Sequence, residues 1–213
     1  LINRDFTQAN RWTKACALHR IGSLRLKEFT IDLIAQLFNP DVLIKEVAAW
    51  SLYQIDPELY RSNVKRLGLE TNTKLDRAVI ASSENQLMAF EKIKFFQSIG
   101  VLRDLPGITL SYLADISEEI RVRSNEVLRM DEKLSGFFYL IFSGKVEYYS
   151  KGKMVSIFSK GEFIGEMLAG GGYISSNLIR ATEDSALLKI RKDDVYELLA
   201  DKITLTERFL SFI

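Results

Sequence analysis

Over the first hundred residues apolar positions return at intervals of three and four, as in Ala15, Leu18 and Ile21 and again in Phe29, Leu33 and Leu37. That is the period of helix faces turned towards a core. Asn39-Pro40-Asp41 and Asp56-Pro57-Glu58 interrupt the pattern and restart it behind an acidic cap, the second with proline at the first helical position. The spacing predicts helices near 8–24, 28–38, 41–54, 57–68 and 73–98, the last with a weak point at Ser82-Ser83. After Leu105-Pro106-Gly107 a short helix through Tyr112 and Leu113 gives way to short runs with strand chemistry: Glu119 to Arg123, Val127 to Met130, Phe137 to Phe142, Lys145 to Tyr149 and Met154 to Phe158. Between them stand Ser124-Asn125, Ser135-Gly136, Ser143-Gly144, Ser150-Lys151-Gly152 and Ser159-Lys160-Gly161, which carry tight-turn residues. Many short strands joined in this way predict an antiparallel barrel or roll of eight strands from about Glu118 to Arg191, with Leu140, Val146, Ile157 and Leu188 inside it.

The chain is therefore expected to be α+β, with a helical domain over 1–94 and a β-roll domain with flanking helices over 95–213. Within the helical part, Ala15, Leu18 and Ile21 recur as Ala49, Leu52 and Ile55, each 34 residues later. Two helices per unit, with small residues where neighbouring units approach, is the arrangement of stacked helical repeats. The segments Trp12-Thr13-Lys14-Ala15-Cys16-Ala17-Leu18 and Val47-Ala48-Ala49-Trp50-Ser51-Leu52 resemble HEAT repeats, a family defined by apolar pattern more than by signature residues. An ordinary helical bundle is the alternative. Ala15, Leu18, Leu33, Ala49 and Leu52 should line the core in either case.

Composition narrows the function classes. Lys plus Arg number 29 against 28 Asp plus Glu among 213 residues, so no excess of one sign draws the chain to nucleic acid. The single cysteine, Cys16, closes no internal disulfide and reads as a small buried thiol, which fits a reducing, cytoplasmic setting. No apolar run reaches the roughly 18 to 20 residues of a membrane span. The chain starts at Leu1 within two residues of a helical pattern, so it is expected to be a piece of a longer protein. The one histidine, His19, has no Cys, second His or carboxylate pair at ligand spacing, so neither a metal site nor a hydrolytic triad is expected and the chain is read as a non-enzyme. Trp12 and Trp50 fall within helical apolar stripes and read as core.

The most informative stretch is Gly161-Glu162-Phe163-Ile164-Gly165-Glu166-Met167-Leu168-Ala169, followed by Gly170-Gly171-Gly172 and the strand Leu178-Ile179-Arg180-Ala181. A loop feeding a very short helix offers free backbone N–H groups to an anion, glycine permits close approach, and a carboxylate such as Glu166 can accept from a sugar hydroxyl. Together with Phe137-Phe138-Tyr139-Leu140-Ile141-Phe142-Ser143-Gly144-Lys145-Val146-Glu147, this stretch resembles the central strands and phosphate-binding cassette of cyclic-nucleotide-binding domains. The resemblance runs over about 115 residues. It implies a regulatory ligand sensor with no resident cofactor, taking cAMP, cGMP or a related nucleotide. Glu166 would hold the ribose 2′-hydroxyl, and Gly165, Met167 and Leu168 would turn backbone amides to the phosphate.

The same resemblance exposes a departure. Members that bind cAMP or cGMP usually carry an arginine nine or ten residues after that glutamate, and this chain has Ser175 or Ser176 there. Arg180 stands five positions beyond Ser175, roughly 16 Å along a strand and on the opposite face by parity. Weak nucleotide binding, micromolar or poorer, is therefore expected. The alternative is a degenerate roll that binds no nucleotide and serves, with the helical repeats, as a protein-interaction or scaffolding module. Expected partners are a cyclic nucleotide and a protein or adjacent domain met through the repeats, with no nucleic acid and no membrane contact by this segment. HEAT-like repeats ahead of such a roll resemble the soluble regulatory regions of bacterial multidomain proteins, including relatives of nucleotide transporters, which implies a cytoplasmic location with a membrane portion elsewhere in the full protein.

Overall fold

The computed structural model describes residues 9–66, 87–100, 102–130, 136–165 and 177–201. It divides into two compact units, one of Leu1–Lys94 with Pro106–Ser111 and one of Phe95–Leu105 with Tyr112–Ile213.

The first unit is helical. Helix α1 spans Arg11–Ser23, a 3-10 turn Lys27–Phe29 leads into α2 (Thr30–Gln36), and α3 (Val42–Ile55) and α4 (Pro57–Arg66) follow. The caps are those the sequence announces. Asp41 Oδ1 accepts from Leu43 N at 3.0 Å and Ile44 N at 3.4 Å, and Asp56 Oδ1 accepts from Leu59 N at 2.9 Å. Helix α1 lies along α3 because small residues meet there. A Cβ built on Gly22 would stand 2.6 Å from Ser51 Cα, and the Ser51 hydroxyl donates to Leu18 O at 2.9 Å. Ala15, Leu18, Leu33, Ala49 and Leu52 are all buried, as the spacing requires. Helix α5 (Ala89–Ser98) brings Phe90 into a column of rings: Trp12 on Phe90 at 5.2 Å, Phe90 on His19 at 4.3 Å, and His19 on Trp50 at 4.5 Å. Both tryptophans are half-buried rather than fully enclosed. Cys16 is also only half-buried, which corrects the reading of a buried thiol. It lies beside Ala15 on α1, one position off the face that packs on α3.

The second unit takes in Phe95–Leu105 and resumes at Tyr112, within α6 (Gly107–Asp115). Eight strands among the described residues are β1 (Ser117–Val122), β2 (Val127–Met130), β3 (Phe137–Ser143), β4 (Lys145–Ser150), β5 (Lys153–Ser159), β6 (Phe163–Ile164), β7 (Asn177–Ala181) and β8 (Ser185–Arg191), and α7 (Lys192–Asp201) closes the described chain. They pair antiparallel as two four-stranded sheets, β1-β8-β3-β6 and β2-β7-β4-β5. The β4–β5 turn is a tight reversal: Ser150 pairs with Lys153 while Lys151 and Gly152 both take positive φ, 51° and 75°. Side chains from both sheets, among them Tyr139, Ile141, Val146, Ile179, Ala181 and Leu187, form one apolar core.

Leu140, Val146 and Leu188 are buried, but Ile157 is 47% exposed and the expectation for it is corrected. The register gives the reason. Phe158 faces Val146 and packs against the core, whereas Ile157 faces Glu147 on the opposite side of the sheet. The register shift between Tyr148 and Tyr149 leaves Val155 without a partner and lies beyond Ser156, so it does not set the direction of Ile157. The predicted helical stretch 73–86, with Ser82-Ser83, and the turn residue Ser135 lie outside the described residues.

Candidate functional site

Of the six residues that sequence analysis assigns to ligand binding, the structure describes Gly165. Glu166, Met167, Leu168, Ser175 and Ser176 lie outside the described residues.

The approach to the site is built from β3 outward. Gly161 N donates to Ile141 O at 2.8 Å and Ile141 N donates to Glu162 O at 3.0 Å. Short strand β6 then continues the ladder, with Tyr139 opposite Ile164 and Leu140 opposite Phe163. Glu162 is spent on the turn itself, because its Oε2 accepts from Ser159 N at 2.6 Å. Gly165 ends this clamped run at φ +144°, a conformation that L side chains rarely adopt, and a Cβ there would meet Phe138 Cδ1 at 2.8 Å. Both the dihedral angle and the close approach require glycine here, so the sequence signal at this position has a structural cause. Phe138, the floor under Gly165, was not singled out by the sequence, where it reads as one more apolar strand residue.

The described interior of the roll is apolar, with Tyr139 fully buried within it. Arg180 does not turn inward. Its neighbours Ile179 and Ala181 join the core, whereas Arg180 sits on the outer face of β7 opposite Glu147. Its Nε and Nη2 donate to Glu147 Oε2 at 2.9 and 2.6 Å, Nη2 also donates to the Tyr149 hydroxyl at 2.6 Å, and its guanidinium carbon lies 5.2 Å from the centre of that ring. The hydrogen bonds from Arg180 and Tyr149 hold the Glu147 carboxyl below its usual range, and the bond to Glu147 pushes the Arg180 pKa up. This guanidinium is thus engaged on the outside of the sheet. Parity counted from Ser175 set Arg180 on the opposite face of the strand; its partners became visible only when the register set β4 beside β7.

A shallow cleft in the same unit is lined by Phe95, Ser98, Ile99, Gly100, Lys160, Gly161 and Glu162, with Lys160 Nζ 5.9 Å from the Phe95 and Phe142 rings. Its one carboxylate is the Glu162 already held by the turn. His19, in the helical unit, carries a pKa lowered first by burial and then by Lys94, and it stacks between two aromatic rings. Among the described residues no group of three or more His, Cys, Asp or Glu is placed to hold a metal ion. No described helix is long and apolar enough to cross a membrane.

Comparison with known proteins gives one family match. The model of the cyclic nucleotide-binding domain family matches residues 119–202. This span runs from β1 through α7, and it encloses the Gly161–Gly165 approach. No curated protein matches the chain. Solved structures that resemble it include the sensor domain of the transcriptional regulator DNR from Pseudomonas aeruginosa, 18% identical with a TM-score of 0.48, covering 55% of this chain and 83% of that one. A cyclic nucleotide-binding domain from Methylobacillus flagellatus is 22% identical with a TM-score of 0.46, covering 57% of this chain and 71% of that one. The regulatory subunit of a cAMP-independent protein kinase A from Trypanosoma brucei is 19% identical with a TM-score of 0.46, covering 57% of this chain and 48% of that one.

Proposed function

We propose that the second unit is a regulatory ligand-sensing module of cyclic-nucleotide-binding type that takes cAMP, cGMP or a related nucleotide weakly. The observation that carries this reading is the family match over residues 119–202 together with Gly165, whose positive φ and contact with Phe138 set the chain at the start of the glycine-rich segment. In this reading Glu166 accepts from the ribose hydroxyl, and the phosphate rests on backbone amides from Gly165 through Leu168 and on the hydroxyls of Ser175 and Ser176. Weak binding follows from Arg180, which is engaged with Glu147 and Tyr149 on the outer face. The phosphate then lacks a charge-assisted contact contributing about 1.5 to 3 kcal/mol.

That same engagement, with the apolar interior, favours a second reading in which the roll binds no nucleotide and acts with the helical unit as an interaction module. The packing of α1 on α3 through Gly22 and Ser51 supports a repeat-like helical scaffold for that role. Calorimetric titration with cAMP and cGMP separates the two. Ser175→Arg restores the missing guanidinium and is expected to lower Kd roughly 10- to 150-fold. Glu166→Ala in that background should weaken binding again. If Ser175→Arg folds and neither nucleotide binds at about millimolar concentration, a range in which even weak sites register, the interaction-module reading replaces the sensor.

A further inference from the structure

The outer face of the β2-β7-β4-β5 sheet carries a cross-strand row whose order is Val127, Arg180, Glu147, Ile157, fixed by the pairing of β2 with β7, β7 with β4, and β4 with β5. The row is apolar, positive, negative, apolar. Val127 is 45% exposed and Ile157 47%, and Met154, paired with Tyr149 on the same face, is 52% exposed. Exposed apolar side chains flanking an ion pair on one sheet face are a pattern that marks association surfaces. Arg180 and Glu147 also leave groups over. Both bonds from the guanidinium to Glu147 end on Oε2 and use Nε and Nη2, so among the described residues Glu147 Oε1 and Arg180 Nη1 make no hydrogen bond.

We infer that this face binds a second copy of the same chain, sheet on sheet, about a two-fold axis running parallel to the strands between β7 and β4. Such an axis reverses the order of strands while keeping each residue at its level. Val127 then lies over Ile157 of the other copy, Arg180 over its Glu147, and Leu178 over its Tyr149. Apolar groups meet apolar groups and opposite charges meet, and the spare Nη1 donor of one copy faces the spare Oε1 acceptor of the other. A row with two like charges at its centre would be repelled by its own image, and one with both charges on the same side of its centre would set each charge against an apolar group; this row is its own complement, which is what an isologous interface requires. Aligned sheets pack about 10 Å apart, which leaves room for an arginine side chain between them. Four strands at about 4.8 Å make a face roughly 19 Å wide, below the size of a standard interface, so the dimer is a weak one that exchanges with monomer.

The test is sedimentation velocity of the full 213-residue chain up to about 0.5 mM, a range that captures weak dimers. Wild type should show concentration-dependent dimer. Glu147→Arg puts two positive groups in the row and Arg180→Glu puts two negative ones, and each alone should weaken association by about tenfold or more through like-charge contact. An equimolar mixture of the two variants should regain the dimer, because the positive row of one now faces the negative row of the other. A purely structural role for the ion pair gives no such recovery in trans. Ile157→Lys, at an exposed position that leaves the core intact, should also abolish dimer and guards against a charge variant that fails to fold. A monomeric wild type overturns the inference. So does a mixture no more associated than its two components, or an Ile157→Lys protein that dimerises like wild type.

Discussion

Replacing Gly165 by alanine tests whether the entrance to the glycine-rich segment is set by backbone geometry. Two costs act at this position. The first is conformational: φ is +144°, and holding an L residue in such a sparsely populated region costs on the order of 1–3 kcal/mol. The second is steric: the new Cβ would sit 2.8 Å from Cδ1 of the buried Phe138 ring, with Phe137 O and Phe138 Cα at 3.4 Å, and overpacking of this kind costs roughly 1–3 kcal/mol. Together they come to about 2–6 kcal/mol, a large part of the roughly 5–15 kcal/mol that holds a domain folded. Two other glycines calibrate the argument. Gly161 has φ +89° but nothing within 4 Å of a Cβ, so Gly161→Ala should show the conformational cost alone. Gly100 has open space and no positive φ, so Gly100→Ala should be close to neutral. Denaturant unfolding followed by circular dichroism should rank the three variants Gly100, Gly161, Gly165 in increasing loss, and Phe138→Leu added to Gly165→Ala should return part of the steric share. A Gly165→Ala protein within about 0.5 kcal/mol of wild type, the ordinary scatter of surface substitutions, would refute the reasoning, as would a loss no greater than that of Gly161→Ala.

Further outcomes follow from the helical unit and the roll core. Gly22→Ala should lower thermal stability by about 1–3 kcal/mol, because its Cβ meets the backbone of Ser51 at 2.6 Å and α1 must move off α3. Asp56→Ala removes the oxygen that caps Leu59 N and should cost about 1 kcal/mol by the same measurement. Leu187→Ala, in the centre of the roll core, should cost about 2–5 kcal/mol. For His19 burial lowers the folded pKa below 6.5, so the unfolded chain binds the extra proton first as pH falls. Its contribution is full above about 6.5 and declines below that value until the folded imidazole also charges. His19→Gln should therefore flatten the stability profile of the chain between neutral and mildly acidic pH, and an unchanged slope would remove His19 from the account.

The sequence by itself determined the elements whose causes are local. Proline, aspartate and the three- and four-residue spacing located α3 and α4 with their caps, since a cap needs only the residues within one turn of it. Serine-glycine turns and apolar alternation located β1 through β5 to within about two residues. The same local reading found Gly165, because a backbone that needs positive φ leaves a glycine in the sequence. What the sequence missed depends on register and partner. Ile157 faces outward because it pairs with Glu147 while its neighbour Phe158 pairs with the buried Val146, and nothing in Ser156-Ile157-Phe158-Ser159 marks which of the two apolar residues takes the core side. Parity told which way Arg180 would not point, but its engagement with Glu147 and Tyr149 spans more than 30 positions and exists only because β7 pairs with β4. The stack of Trp12, Phe90, His19 and Trp50 joins three helices in the same way. Helix periods, caps and turn glycines are written in neighbouring residues, whereas the direction of an edge strand and the partner of a charged side chain are decided by contacts that form only when distant segments pack.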